Sequence, residues 1–241
     1  MNGKYALVTG ASGGIGTAIC EELAERGYHL FLHYYRNKNK AEELQIKLNA
    51  KNITSFLVDA DLSSIDGVYH LQKQLHADID VLILNSGTSY YGLITDMNDQ
   101  EIDDMIQLHI TSPFKLARQL LPRMVSKRAG SIVVISSIWG LSGASCEVLY
   151  SMVKGGQNSF VKALAKEVAP MNVRVNAIAP GAVKTSMLDT FSKEEISSLE
   201  EEIPIGRLAF PSEIADAVGF LVSDKSSYIT GEILSVNGGW L

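Results

Sequence analysis

A tyrosine and a lysine four residues apart, Tyr150 and Lys154, open a stretch from 149 to 169 that reads as a helix. Residues at this spacing share one helix face. An ammonium beside a phenol favours the phenolate and draws its pKa toward the working range. Tyr150 is thus a candidate general acid for a ketone becoming an alcohol. Ser136 and Ser137 lie at the end of an apolar run, 131–136. Open α/β sheets bind ligands at the carboxyl ends of their strands, and a serine hydroxyl there can hydrogen-bond a substrate oxygen. A surface Tyr–Lys pair and turn-capping serines would have the same spelling.

A second pattern concerns anions. Thr9-Gly10-Ala11-Ser12-Gly13-Gly14-Ile15-Gly16 follows a short apolar run and opens into a helical pattern. Glycines let the backbone turn tightly and approach a pyrophosphate with no Cβ in the way. The helix N-terminus then offers free N–H groups and partial positive charge. The spacing is G-x-x-x-G-x-G, not the commoner G-x-G-x-x-G, and a tight strand–helix turn without a ligand is the alternative. After the second apolar run comes His33-Tyr34-Tyr35-Arg36-Asn37-Lys38. An acid at that place usually holds the ribose hydroxyls of NAD. None is present, and Arg36 or Lys38 can pair with a 2′-phosphate. NADP(H) is the expected cofactor, unless these cations merely begin a solvated helix.

The elements that must position these groups alternate. Strand candidates fall at 5–8, 29–33, 54–58, 81–84, 131–136, 173–178 and 232–236. Between them apolar residues recur at three- and four-residue spacing, as in Ile15, Ile19, Leu23 and in Val68, Leu71, Leu75. A third set is Ile102, Met105, Ile106, His109, with Pro113 expected to bend its continuation. Such alternation predicts an α/β fold, a doubly wound parallel sheet of about seven strands with helices on both faces. No repeat or linker divides residues 1–241, so one domain is expected. The segment 185–210, with Glu194, Glu195 and Glu200 to Glu202, is a solvated helix face or a lid.

Bulk properties narrow the function. The chain has 241 residues and a net charge of −6, a poor match to nucleic-acid binding, which needs clustered cations. No apolar run suits a membrane span, and no secretory signal is visible. Two cysteines, Cys20 and Cys146, without C-x-x-C spacing fit a reducing, cytoplasmic setting and no metal site.

Jointly, these motifs resemble the short-chain dehydrogenase/reductase family over essentially the whole chain. The resemblance is carried by the glycine turn, by Ser137 thirteen residues before Tyr150, by Tyr150-Ser151-Met152-Val153-Lys154 and by Asn176-Ala177-Ile178-Ala179-Pro180-Gly181. The tail from Ile203-Pro204-Ile205-Gly206-Arg207 through Val236-Asn237-Gly238-Gly239 also matches. It implies a Rossmann-like fold and a homo-oligomer, tetramer or dimer. It also implies that Ser137 positions the carbonyl, Tyr150 donates the proton, and Lys154 lowers the Tyr150 pKa and holds the nicotinamide ribose. Gly10, Ser12, Gly13, Gly14, Ile15 and Gly16 would cradle the dinucleotide, with Tyr35 and Arg36 at its ribose and Asp61 and Leu62 by its adenine. Asn85, Ser86 and Gly87, then Pro180, Gly181, Val183 and Thr185, would complete that lining.

Two departures bear on function. The family's N-N-A-G is Leu84-Asn85-Ser86-Gly87 here, so a strand-end hydrogen bond must be remade. A family asparagine in a proton relay aligns with His109, which is either a relay member or a core histidine. The chain resembles 3-oxoacyl-[acyl-carrier-protein] reductases, but the positions matching their docking cations are read as Ser131 and Met171, both neutral. Ser137-Ile138-Trp139-Gly140 and Gly143-Ala144-Ser145-Cys146-Glu147 more closely resemble the elongation factor P 5-aminopentanone reductases. There Glu147 would face a substrate amine, unless it only caps the helix. The expected substrate is a ketone, protein-borne in that reading; a dinucleotide sensor without chemistry is the remote alternative.

Overall fold

The computed structural model describes residues 3–188 and 191–241. Seven strands form one parallel sheet in the order β3-β2-β1-β4-β5-β6-β7. They are β1 (Tyr5–Val8), β2 (His29–Tyr34), β3 (Ser55–Asp59), β4 (Val81–Leu84), β5 (Gly130–Ile135), β6 (Val173–Pro180) and β7 (Ile233–Val236). Each expected strand is present to within a residue or two at its ends, because strands covered on both faces read as continuous apolar runs. The chain winds outward from β1 to β3, then returns to the middle with β4. That reversal opens a crevice beyond the carboxyl ends of β1 and β4.

Helices cover both faces. On one, α1 (Gly14–Glu25) packs Ile19 and Leu23 beside Ile214 and Val218 of α9 (Pro211–Val222). On the other lie α3 (Gly67–Lys73), α5 (Ser112–Lys127) and α7 (Val148–Val168), which place Leu71, Leu116 and Val161 in a second core. The remaining helices are α2 (Lys38–Asn49), α4 (Asp99–Ile106), α6 (Trp139–Ser142) and α8 (Lys193–Glu202). Among the described residues no helix is long and apolar enough to cross a membrane.

The pattern Ile102, Met105, Ile106, His109 is not one helix. Helix α4 ends at Ile106, and Gln107–Thr111 forms a π turn before α5. Pro113, second in α5, has no N–H for the His109 carbonyl. Gln157 of α7 supplies one, its Nε2 donating to that oxygen at 2.8 Å. Within 185–210, the acidic run forms α8, whose N-terminus carries a Ser192–Glu195 capping box. The lid expectation also spans 189–190, outside the described residues.

His33 ends β2 inside the protein. Its Nδ1 accepts from Gly10 N at 3.0 Å, and its Nε2 lies 3.1 Å from Ala60 O. Burial pushes its pKa down to about 4. An unfolded chain binds a proton near pH 6.5, whereas the folded one refuses it until about pH 4. His33 therefore contributes full stability above pH 6.5, and that contribution is lost as pH falls toward 4. At pH 5 its loss is about 2 kcal/mol. Urea denaturation at pH 7 and pH 5 should show this drop in wild type and a smaller one in His33→Gln. Equal drops in the two proteins would remove His33 as the cause.

Candidate active site

Two adjoining cavities, of about 520 and 850 Å³, occupy the crevice and share Gly10, Ser12, Ser86 and Gly87. The smaller extends past β2 and β3 to Tyr35, Arg36, Asp61 and Leu62. The larger is bounded by Gly13, Gly14, Ile15, Gly16 and Asn85 on one side. Its other side carries Pro180, Gly181, Val183 and Thr185, and Ser137, Glu147, Tyr150, Lys154 and His109 also line it. Apart from Lys38, the residues singled out in the sequence for a cofactor or substrate meet this crevice. Lys38 does not line it; its amine lies 3.6 Å from Glu42 on the exposed side of α2. Arg36 remains as the cation at the cavity, its guanidinium 5.2 Å from the Tyr35 ring centre.

The glycine turn is shaped by contacts as well as by flexibility. Gly10 has φ +67°, a conformation in which a Cβ is strained. A side chain on Gly16 would strike the Gly10 carbonyl and the Asn85 amide. Thr9 and Asn85 fasten the turn to β4. Thr9 Oγ1 accepts from Asn85 N at 2.8 Å and Ser86 N at 3.0 Å, and Asn85 Nδ2 donates to Thr9 O at 2.9 Å. This is how the strand end is remade, since Leu84 in the departed position is buried in the core. The backbone cradle at the N-terminus of α1, open to the larger cavity, fits a dinucleotide's pyrophosphate.

Helix α7 carries the titratable groups. Lys154 is buried and donates from Nζ to Ile135 O at 2.8 Å. Burial lowers its pKa to about 7. The lysine amine lies 5.5 Å from the Tyr150 ring centre. The expectation that Lys154 draws the phenol downward is not met. Burial pushes Tyr150 up to about 12, against a lowering hydrogen bond from Ser137, and the Glu147 charge pushes the same way. Burial sets the direction for each group: it raises the phenol and lowers the ammonium. The phenol is therefore held protonated, the state a proton donor needs.

Ser137, 8% exposed, stands at the end of β5 where its hydroxyl can reach both Tyr150 and a ligand. Ser136 points elsewhere: its Oγ donates to Asn158 Oδ1 at 2.7 Å, and Asn158 Nδ2 donates to Gly140 O at 2.9 Å. Of the two serines, Ser137 alone lines the site in a bonded relation to Tyr150, and Ser136 braces it.

His109 is fully buried and meets the Tyr150 ring edge-on at 5.9 Å between centroids. Its Nε2 lies 2.9 Å from Thr88 O, and Nδ1 has no partner among the described residues. Burial and the Lys154 charge lower its pKa to about 3, so the imidazole is neutral. It is both a core residue and a neighbour of Tyr150.

Glu147 does not cap α7: it occupies the N-cap position without a side-chain cap bond. Burial raises its carboxyl pKa above the usual range. The reading of Ser131 as a docking position fails. Ser131 is only 4% exposed, within β5. The exposed neighbour of Met171 is Arg128, whose Nη2 donates to Pro170 O at 2.8 Å. The sign in the sequence is that Ser131 belongs to the continuous apolar run of β5, a strand covered on both faces. Trp139, Trp240 and Tyr91 also line the larger cavity. Their places follow from loop geometry, which no local spacing announces.

A family model described as enoyl-(acyl carrier protein) reductase matches residues 10–241. An uncharacterized oxidoreductase, YmfI, of Bacillus subtilis (strain 168) is 57% identical over 238 residues, 98% of each chain. The 3-oxoacyl-[acyl-carrier-protein] reductase FabG of Staphylococcus aureus (strain Mu50 / ATCC 700699) is 37% identical, covering 98% of this chain and 97% of its own. The crystal structure of angucycline C-6 ketoreductase LanV with bound NADP superposes with a TM-score of 0.92 at 28% identity, covering 99% of this chain and 95% of LanV. With a match that runs from the glycine turn to the last residue, this chain belongs to the short-chain dehydrogenase/reductase family.

Proposed function

We propose that this protein is an NADP(H)-dependent reductase that converts a ketone bearing a distal ammonium group to a secondary alcohol. The 5-aminopentanone group carried by elongation factor P fits this description. The observation that carries the substrate reading is Glu147: a half-buried carboxylate in the cavity with Tyr150, without an ion pair among the described residues. Such a charge favours a cationic ligand and disfavours a neutral one.

A bound nicotinamide supplies hydride to the carbonyl carbon. The chain's own groups handle the oxygen. Ser137 Oγ orients it by a hydrogen bond, and the protonated Tyr150 phenol donates the proton that completes the alcohol. Lys154, where charged, offsets the phenolate left behind. His109 Nδ1, buried and without a partner among the described residues, could accept a hydrogen bond from a water that reprotonates the phenol, without carrying the proton itself. Arg36 would pair with the cofactor's 2′-phosphate, a bond that NADH cannot make. Exposed Phe114, Val148 and Met152 on α5 and α7 support a homo-oligomer, which light scattering would register as a multiple of the chain mass.

The second reading, a 3-oxoacyl-carrier reductase, is favoured by Arg128, a surface cation beside Met171. Assays of NADPH oxidation separate the two. The amino-ketone should be turned over with the higher kcat/KM, and Glu147→Gln should raise its KM on the order of tenfold while leaving a matched neutral ketone within about twofold. Efficient turnover of acetoacetyl thioesters, with none of the amino-ketone, would restore the carrier reading.

Three further outcomes are expected. Tyr150→Phe keeps the ring and removes the acid, so turnover should fall on the order of 10²–10⁴ while NADPH binding persists. A variant retaining more than about a tenth of wild-type turnover would remove Tyr150 as the donor. Arg36→Ala should lower kcat/KM for NADPH by roughly 10- to 100-fold and leave NADH unchanged; equal wild-type use of NADH and NADPH would end the charge argument. His109→Asn keeps a neutral polar group and should stay soluble within about tenfold of wild-type turnover, whereas His109→Leu should fall below that. If both variants are soluble and equally active, His109 is packing alone.

A further inference from the structure

Both tryptophans of the chain, Trp139 and Trp240, meet at one place. Trp139 opens α6 two residues after Ser137, and its backbone N–H donates to Ser137 Oγ at 3.2 Å. Trp240 follows Gly238 and Gly239, whose φ values of 66° and 85° belong to the region glycine favours. That turn brings the Trp240 ring to 5.2 Å from Trp139, centroid to centroid, with 65° between their planes. In an edge-to-face pair the ring that contributes its edge keeps both faces clear of its partner. The two rings line the larger cavity together with Ser137, Tyr150 and Glu147.

The charges in that cavity are sparse. Among the described residues lining it, Glu147 and Lys154 are the charged side chains. Lys154 is already bonded to Ile135 O. Among the described residues Glu147 has neither a cap bond nor a cation, and burial disfavours its charged form. An apolar ligand filling this cavity would desolvate that carboxylate further with nothing in return. A cation would answer both features, because indole faces attract cations more strongly than any other side-chain ring.

We infer that Trp139, Trp240 and Glu147 form a subsite for a primary alkylammonium group, in the same cavity as the Ser137–Tyr150 oxygen site. The subsite deepens the amino-ketone reading and rests on it: the reaction end of the substrate meets Ser137 and Tyr150, and its ammonium end meets the rings and the carboxylate.

The test reads binding, so that it fails separately from the reductase reading. Enzyme saturated with NADP⁺ is titrated with n-butylammonium chloride and, separately, with n-butanol, following tryptophan emission. Since both tryptophans belong to the pair, the signal reports this place. The ammonium should saturate at a concentration on the order of tenfold lower than the alcohol. Trp240→Leu, which keeps apolar bulk but removes the ring, should bring the ratio close to one without altering the alcohol's affinity. Glu147→Gln, at the partly exposed start of α7, should do the same and supplies the reading if the Trp240 variant does not fold. No saturable response to n-butylammonium, equal affinity for the two probes, or a ratio unmoved by both substitutions overturns the subsite and leaves the rings as an apolar wall. An intact ammonium preference with no ketone-dependent NADPH oxidation would instead overturn the reductase reading and leave the subsite standing.

Discussion

The hydroxyl of Thr9 sits where β1 and β4 end side by side, and the geometry of the crevice depends on how it is bonded. Thr9 Oγ1 donates to Ile83 O and accepts from Asn85 N and Ser86 N, joining segments more than 70 residues apart in sequence. The Asn85 amide closes the same joint from the other side, onto the Thr9 and Gly10 carbonyls. Two strand ends that would otherwise diverge are thus held at one separation. The glycine turn leaves from one and the Ser86–Gly87 wall from the other. The cavity walls made by the glycine turn and by Ser86–Gly87 are placed relative to this joint.

A second constraint is dryness. Lys154, His109 and Tyr150 are packed together with little access to water, and each is pushed toward its uncharged form. In such surroundings a hydrogen bond to a ligand oxygen is electrostatically stronger than in water. The cost is that charge must be supported locally. Lys154 has one carbonyl for this, Ile135 O, and Glu147 has no cation within the described chain. The site is arranged so that a ligand completes its electrostatics.

Much of this was legible beforehand, and the reasons differ by element. The strands could be read because parallel strands are buried on both faces and spell as apolar runs. The glycine turn could be read because its spacing sits between an apolar run and a helical pattern, although the close contacts at Gly10 and Gly14 come from distant Asn85 and Thr185. Spacing also puts Tyr150 and Lys154 on one face, yet it carries no information on desolvation, which sets the direction of the phenol's shift. Ser131 matches a docking position by motif spacing alone, whereas its place within the buried run of β5 keeps it from the surface. Lys38 shares the basic stretch with Arg36, but helix α2 turns it toward Glu42. His33, Gln157 and Trp240 gave no signal, because each acts through a partner distant in sequence: Ala60, His109 and Trp139.

The π turn at Gln107–Thr111 sets a phase between two helices. In a regular α-helix each residue advances the chain by about 100° of rotation, and a π turn holds one residue more than the α-helical turn it replaces. That extra residue fixes the rotational offset between α4 and α5. With it, Met105 of α4 meets Leu149 and Val153 of α7 in a small apolar cluster, packed against Ile102 and Tyr150. A chain one residue shorter here would rotate α4 by that step about its own axis and carry Met105 off α7, although every polar group of the site would still be encoded. What is held constant between 107 and 111 is therefore a length as much as a set of side chains, and the Pro113–Gln157 arrangement around the His109 carbonyl is the lock that keeps the count.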